Sequence, residues 1–149
     1  MAPARRRQLD EIAEALPQRA ASLTRLFLKR TSVPVSRIEA GVLRALSIQP
    51  QRVTELAAVE GVTQPAITRL VDRLQERGWV TRESDPCDGR AVMVHLEPAG
   101  LAVFDTLRAE YRALVHEEMA ALADGDVDTL ARSIDVLDEL IARLEDRAS

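Results

Sequence analysis

Two short helical patterns separated by a tight turn lie between residues 54 and 78 of this chain. Thr54 stands where a helix cap is expected, and Gly61 suits the left-handed residue that ends such a helix. Thr63 suits the cap of a second helix, and Pro65 falls in its first turn, where a missing N–H removes no helical hydrogen bond. This arrangement predicts two helices joined at a sharp angle, a helix-turn-helix.

The second of these helices has two chemically different faces. Apolar residues recur at intervals of three and four and form a side that we expect to be buried: Ile67, Leu70, Val71 and Leu74. The opposite side carries amide, hydroxyl and guanidinium groups, on Gln64, Thr68, Arg69 and Arg73. Such groups reach base edges and phosphates when a helix lies in the major groove of DNA. The pattern therefore predicts a recognition helix.

After Gly78 the spacing of the apolar residues changes from helical to alternating. Residues 79–83 and 92–96 are rich in β-prone side chains, and the segment SDPCDGRA lies between them. Asp, Pro and Gly between two such runs predict a β-hairpin with a longer loop. A helix-turn-helix followed by a hairpin is a winged helix, and we expect this lobe to span residues 36–97.

Helical patterns also precede the helix-turn-helix. Apolar residues recur through residues 8–30, where Pro17 is expected to cause a kink or a restart. Ser36 and Glu39 form the capping-box pattern that opens a further helix, which we expect to end near Ser47.

Two more helices are expected after the hairpin. Pro98 opens the first, and a break is predicted at residues 124–126. The last helix carries an apolar stripe that alternates by three and four residues: Val127, Leu130, Ile134, Leu137, Ile141 and Leu144. A lone protomer cannot cover this stripe as well as a pair can, so we expect residues 8–30 and 98–147 to be dimerisation helices. The predicted fold is mainly α with a small β-hairpin wing, as a single domain over residues 1–149.

Charge is distributed unevenly along the 149 residues, whose net charge is −4. Residues 1–49 carry nine basic and four acidic side chains, residues 50–96 six and seven, and residues 97–149 five and thirteen. Affinity for nucleic acid depends on local charge facing the phosphates and not on the total. Three successive arginines, at positions 5–7, are interpreted as a solvated tail, with contact to DNA phosphates as the alternative.

Several classes of protein are excluded or disfavoured by the sequence. No apolar run approaches the roughly 20 residues that span a bilayer, and the first residues lack the apolar region of a signal peptide, so we expect a cytoplasmic protein with no membrane partner. The single cysteine, Cys87, excludes an internal disulfide framework. The zinc-protease pattern of two histidines four residues apart on a helix is absent, because Ala120 stands four residues after His116. We expect no metal, no cofactor and no enzymatic activity.

Taken together, these motifs resemble the MarR (multiple antibiotic resistance regulator) family over roughly residues 8–145. The most specific segments are TELA at 54–57, TQPAITRLVDRLQERGWV at 63–80, DPCDGR at 85–90 and VHLEPAG at 94–100. The resemblance implies a homodimeric transcriptional regulator, a repressor that binds a pseudo-palindromic double-stranded DNA operator and is released by a small-molecule effector. Two alternatives stay open: a regulator that senses oxidation through Cys87, and a helical module that binds another protein.

The resemblance also implies roles for single residues. Four residues of the recognition helix would face the major groove: Gln64, Pro65, Thr68 and Arg69. Arg73 on the same polar side is expected to contact DNA as well, with an internal pair to Asp72 or Glu76 as the alternative. Arg90 at the tip of the wing would enter the flanking minor groove, where narrow A·T-rich segments attract arginine, and Asp88 would orient its guanidinium. Gly89 replaces an arginine often found there, and Glu97 replaces a threonine that often caps the next helix.

An effector pocket is implied between the dimerisation helices and the winged helix. Its expected lining residues are Leu26, Arg30, Ile38, Val42, Trp79 and Tyr111. Core packing explains most of these side chains equally well. Aromatic residues form only 3% of the chain, which disfavours a stacking cage for flat phenolic ligands.

Overall fold

A computed structural model describes residues 3–148. In chain order, its elements are α1 (Pro3–Arg30), α2 (Arg37–Ile48), β1 (Gln51–Arg52), α3 (Val53–Glu60), α4 (Gln64–Glu76), β2 (Val80–Ser84), β3 (Val92–Leu96), α5 (Pro98–Met119) and α6 (Asp124–Ala148). The described residues up to Tyr111 form one compact unit, and those from Arg112 onward form a second. The mainly helical fold with a β-hairpin wing is confirmed.

The first helix is longer and more regular than expected. It begins at Pro3, and the helical assignment continues without a break through Pro17. A proline inside a helix removes one backbone hydrogen bond, which the remaining turns of a 28-residue helix tolerate here. The expected restart at Pro17 is therefore wrong. Arg5, Arg6 and Arg7 are exposed residues of this helix and not an unstructured tail.

The capping box of α2 is confirmed in both directions. The backbone N–H of Glu39 donates to the hydroxyl of Ser36 at 3.2 Å, and the N–H of Ser36 donates to the carboxylate of Glu39 at 2.8 Å. Glu39 is only 5% exposed, and the guanidinium of Arg77 lies 3.4 Å from its carboxylate. The helix ends at Ile48, one residue beyond the expected end.

The sheet has a third strand that the sequence did not predict. Its order is β1-β3-β2, all antiparallel, with Arg52 opposite Met93 and Arg82 opposite Val94. Because β1 holds Arg52 in an extended conformation, α3 begins directly after it at Val53, and Arg52 is the N-cap. The predicted cap at Thr54 is wrong for this reason.

The turn between α3 and α4 agrees with the sequence. Gly61 and Gly78 follow α3 and α4 with φ of +65° and +71°, the left-handed conformation that glycine adopts without strain. Thr63 occupies the N-cap position of α4, but its side chain makes no capping hydrogen bond.

One core is shared by α2, α3, α4 and the sheet. Its fully buried members include Val42, Leu56, Ile67, Val71, Leu74 and Val94.

Of the last two helices, α5 begins at Pro98 as predicted, whereas α6 begins earlier than predicted. The hydroxyl of Thr81 donates to the Glu97 carboxylate at 2.8 Å, so this side chain binds the sheet just before α5 begins. α6 begins at Asp124, and the break lies at residues 120–123 instead of 124–126. Carboxylates at Asp124 and Asp126 favour the first turn of a helix, where the N–H groups point outward.

Within residues 3–148, each helix is too short or too polar to cross a membrane.

Candidate nucleic-acid interface

The faces of α4 are divided as the sequence predicts. Its apolar side is buried in the core, with Ile67, Val71 and Leu74 fully covered and Leu70 4% exposed. On the other side Gln64, Pro65, Arg69 and Arg73 are exposed, and Thr68 is half-buried. The Thr68 hydroxyl donates to the carbonyl of Gln64 at 2.8 Å, which leaves its oxygen able to accept a further hydrogen bond.

The two arginines of this face have no carboxylate partner among the described residues. Arg73 makes one long hydrogen bond, 3.4 Å, to the carbonyl of Arg69. The alternative in which Asp72 holds Arg73 is wrong, because Asp72 forms an ion pair with Arg82 at 2.6 Å. Both guanidinium groups of the exposed face are therefore available to an anion such as a DNA phosphate.

Arg82 on β2 is a structural residue that the sequence analysis missed. Besides its ion pair with Asp72, it donates to the backbone carbonyl of Thr68 at 3.0 Å. These two contacts join the second strand to the middle of α4. Alternation along the predicted strand places Arg82 on the same face as the buried Val80. This alternation is the one feature of the sequence that could have indicated a structural role for Arg82.

The loop of the wing is organised by another missed pair, Arg52 and Asp85. Two nitrogens of Arg52, Nε and Nη2, lie 2.7 and 2.6 Å from Oδ2 of Asp85. The other carboxylate oxygen of Asp85 accepts the backbone N–H groups of Cys87 at 2.7 Å and Asp88 at 3.3 Å. The Cys87 N–H and then Arg52 hold the pKa of Asp85 below its ordinary value, so its charged form is favoured.

Arg90 is exposed at the tip of the wing, as predicted. Asp88 contacts it differently from the expectation, because its carboxylate accepts the backbone N–H of Arg90 at 3.1 Å and forms no ion pair with the guanidinium. Asp88 therefore shapes the loop, and the side chain of Arg90 extends from it. Cys87 is exposed in the same loop.

Several predicted contact residues lie on one concave surface. A hollow of about 200 Å³ between α3, α4 and the wing is lined by Gln64, Thr68 and Arg90, together with Arg52 and Arg82. A shallower hollow beside it is lined by Gln64, Pro65, Thr68 and Arg69. Arg73 and Asp88 lie outside both hollows. The surface is rich in guanidinium groups although the whole chain is acidic.

A cavity of about 810 Å³ lies elsewhere in the first unit. It is bounded by α1, α2, α5 and the end of α3, and its lining includes Phe27 and Tyr111, whose stacked rings have centroids 5.2 Å apart. Tyr111 is the one predicted pocket residue that lines it. Val42 does not line it, because this side chain is fully buried in the core, against which Ile38 and Trp79 also pack. Leu26 and Arg30 are exposed on α1 and line no part of it.

Glu60, at the end of α3, reaches into this cavity. Its side chain is 6% exposed and lies 3.4 Å from the guanidinium of Arg37. Burial raises the pKa of Glu60, and the positive charges of Arg37 and Arg44 offset this only in part. Gly41 leaves the space that the Glu60 carboxylate occupies, because any side chain there would overlap it. Across the described residues, no three His, Cys, Asp or Glu side chains cluster in a way that could hold a metal ion.

Comparison with known proteins agrees with this geometry. The pattern of the MarR family matches residues 33–91. The chain is 31% identical over 106 residues to the HTH-type transcriptional regulator YpoP of Bacillus subtilis (strain 168), covering 70% of this chain and 75% of that relative.

Two solved structures share the fold over most of their length. The transcriptional regulator BldR of Sulfolobus solfataricus has a TM-score of 0.68 and 26% identity, covering 96% of this chain and 99% of BldR. A mutant MarR from E. coli complexed with operator DNA has a TM-score of 0.65 and 25% identity, covering 87% of this chain and 95% of that one. With its winged helix and these relatives, the chain belongs to the MarR family, whose members are DNA-binding transcriptional regulators and not enzymes.

Proposed function

We propose that this protein is a homodimeric cytoplasmic repressor that binds a pseudo-palindromic DNA operator and is released by a small-molecule effector. The observation that carries the proposal is the exposed polar face of α4 beside the exposed Arg90 of the wing, on a surface lined by guanidinium groups. The mutant E. coli MarR that resembles this chain was crystallised with operator DNA, which supports DNA as the partner.

In this proposal the two elements read different grooves. Gln64, Thr68 and Arg69 face base edges in the major groove, where an amide, a hydroxyl and a guanidinium can each recognise a base. Arg73, further along the helix, binds a phosphate. Arg90 enters the adjacent minor groove, whose negative potential is greatest where it is narrow.

Exposed apolar surface supports the homodimer. On α6 the side chains of the predicted stripe are exposed by 36 to 57%, except for the half-buried Leu137. On α1, Leu9 and Ile12 are 47 and 51% exposed. Contiguous apolar surface of this kind marks an interface in a soluble protein. A second copy of the chain is the proposed partner, since a two-fold dimer presents two copies of α4 to the two halves of a palindrome.

The effector is proposed to bind in the 810 Å³ cavity, whose volume suits a drug-sized molecule. Phe27 and Tyr111 supply an aromatic wall, while Arg37, Arg44 and Glu60 supply charge. A molecule bound there contacts α3 through Glu60, directly before the turn that leads to α4.

Selection of bound duplexes from randomised DNA with the full-length protein tests this function. The expected consensus has two-fold symmetry, with half-sites about 10–10.5 bp apart. Substituting Arg69 by alanine should relax the preference at one symmetric position in each half-site. The Arg73→Ala variant should lose affinity uniformly, with a salt slope that falls by about one per phosphate contact.

A single asymmetric site, insensitive to both substitutions, would overturn the proposed arrangement. Failure to enrich any duplex would favour the alternative of a protein-binding module. Sensing through the exposed thiol of Cys87 predicts that peroxide weakens DNA binding by the parent and not by the Cys87→Ser variant.

A further inference from the structure

The loop of the wing is tied to the helix-turn-helix at one buried point. Arg52 is the residue that ends β1 and caps α3, and Asp85 is the first residue after β2. The side chain of Asp85 is 7% exposed, and Arg52 reaches it with two nitrogens at 2.6 and 2.7 Å. Both nitrogens contact the same oxygen, Oδ2, in short charge-assisted hydrogen bonds, and the other oxygen, Oδ1, accepts N–H groups of the loop.

Asp85 also organises the backbone that leads to the tip. Its carboxylate accepts the N–H groups of Cys87 and Asp88, and its carbonyl accepts the N–H of Asp88 at 3.2 Å. The N–H of Asp85 donates to the carbonyl of Ala91 at 2.9 Å, which closes the loop at its base. Residues 86–90 are all exposed. No apolar packing therefore fixes the tip, and Asp85 takes that role.

We propose that the Arg52–Asp85 pair is a positioning device that holds Arg90 at a fixed place relative to α4, and so sets operator affinity without contacting a base. The inference rests on the proposed function, in which Arg90 enters the minor groove. Arg90 lies five residues beyond Asp85, at the far side of the loop whose amides Asp85 binds. A loop released from Arg52 would present Arg90 in many positions, and ordering it on DNA would reduce the affinity.

The charge of Asp85, taken alone, predicts the opposite change in affinity for DNA: tighter binding when this carboxylate is removed. Asp85 is a negative charge on a surface proposed to face phosphates, so neutralising it should strengthen binding if charge were its only contribution. The direction of the change in the Asp85→Asn variant therefore separates a positioning role from a simple charge effect.

The experiment measures binding of full-length variants to a duplex selected by the parent, using fluorescence anisotropy at fixed salt. The Asp85→Asn variant is expected to bind the duplex roughly tenfold more weakly than the parent does. Its loss of affinity should be no larger than that of the Arg90→Ala variant. Glu83→Gln is the matched control: it removes the same charge from the same wing, at a side chain that is 70% exposed and whose one ion pair within residues 3–148 is with His95 at 3.5 Å. We expect the control to bind as tightly as the parent, or more tightly.

The double variant Asp85→Asn/Arg90→Ala tests whether the effect of Asp85 on affinity depends on Arg90. If Asp85 acts by positioning Arg90, adding Asp85→Asn to Arg90→Ala should change the affinity by less than about twofold, because the group that it positions is already absent. A full tenfold loss in the Arg90→Ala background would overturn the inference. So would an Asp85→Asn single variant that binds as tightly as the parent.

A measurement without DNA separates this inference from the proposed function. In the free protein, the ¹⁵N heteronuclear NOE of the Cys87, Asp88 and Arg90 amides should fall in the Asp85→Asn variant, while the amides of α4 keep parental values. Unchanged values at the tip would overturn the inference even if the parent binds DNA well. A parent that binds no selected duplex would overturn the proposed function together with the role of the pair in affinity.

Discussion

Apolar side chains of α4 lie inside a core that they share with α2, α3 and the sheet, whereas those of α6 lie at the surface. Ile67 and Leu74 are fully buried, but Ile134 and Ile141 are 57 and 51% exposed. Both helices have a regular apolar stripe, so the local pattern is equally clear in each. Periodicity therefore identifies the apolar face of a helix but does not identify what covers that face.

Charging the exposed stripe should cause the largest effect. The double variant Ile134→Glu/Ile141→Glu is expected to raise the dissociation constant of the proposed homodimer by roughly 10²- to 10⁴-fold, since two large apolar side chains contribute about 3–6 kcal/mol when buried. Sedimentation velocity across a dilution series measures the change.

Val136→Glu is the control for this experiment. Val136 lies on the same helix and is 65% exposed, but it is outside the stripe. We expect this variant to remain a dimer. Equal dissociation of the two variants would remove the stripe from the interface, and a parent that sediments as a 16.5 kDa monomer would exclude the homodimer altogether.

Truncating the shared core should have the next largest effect. Leu56 on α3 is fully buried, so Leu56→Ala should lower the free energy of unfolding by about 2–5 kcal/mol through lost burial and a residual cavity. Urea unfolding followed by circular dichroism measures it. On the same helix, Val59→Ala removes atoms that are 60% exposed and should change the unfolding free energy by no more than about 0.5 kcal/mol. Similar losses in both variants would contradict the described core.

Sequence reasoning succeeded where a feature depends on neighbouring residues. The buried face of α4, the capping box at Ser36 and Glu39, and the bounds of β3 follow from spacing within a few turns or one strand. The positions of the two left-handed glycines follow from the same local rules.

It failed where a feature depends on distant parts of the chain. β1 has two residues and exists because it pairs with β3, about forty positions later. Asp85 and Arg52 are 33 positions apart, so neither residue has a local signal for its partner. The cavity beside Tyr111 is formed by the placement of α1, α2 and α5, which no local pattern specifies, and five of the six predicted pocket residues do not line it.

At the DNA surface a single substitution should have a smaller effect and leave the fold intact. Arg90→Ala is expected to weaken binding to the selected duplex by about 1–3 kcal/mol, as for the loss of one groove contact. The exposed Arg132 on α6 provides a control of equal charge, and Arg132→Ala should bind like the parent. If both variants lose the same affinity at matched salt, the loss reflects total charge and Arg90 makes no specific contact.

The smallest expected effect concerns two carboxylates in opposite surroundings, Glu60 at the end of α3 and Glu110 on α5. Burial raises the pKa of Glu60, so the ionised side chain is disfavoured in the folded state. Its contribution to stability is present below the unfolded-state pKa, near 4.3 for Glu, and is lost as the pH rises through the folded-state pKa. Glu110 is the reverse case. The hydroxyls of Ser32 and Thr31 and the backbone N–H of Ser32 lower its pKa, so its contribution is present above the unfolded-state value and is lost as the pH falls through the folded-state one.

Substitution by glutamine should therefore move stability in opposite directions as the pH rises. Relative to the parent, Glu60→Gln should gain stability between acid and neutral pH, because the variant no longer ionises a buried group. Glu110→Gln should lose stability over the acid range and remain less stable at neutral pH, because an amide binds the two hydroxyls less strongly than a carboxylate does. Unfolding midpoints in urea at a series of pH values measure both. Parallel pH profiles for the two variants would show that the cavity beside Glu60 is more hydrated than a side chain 6% exposed implies.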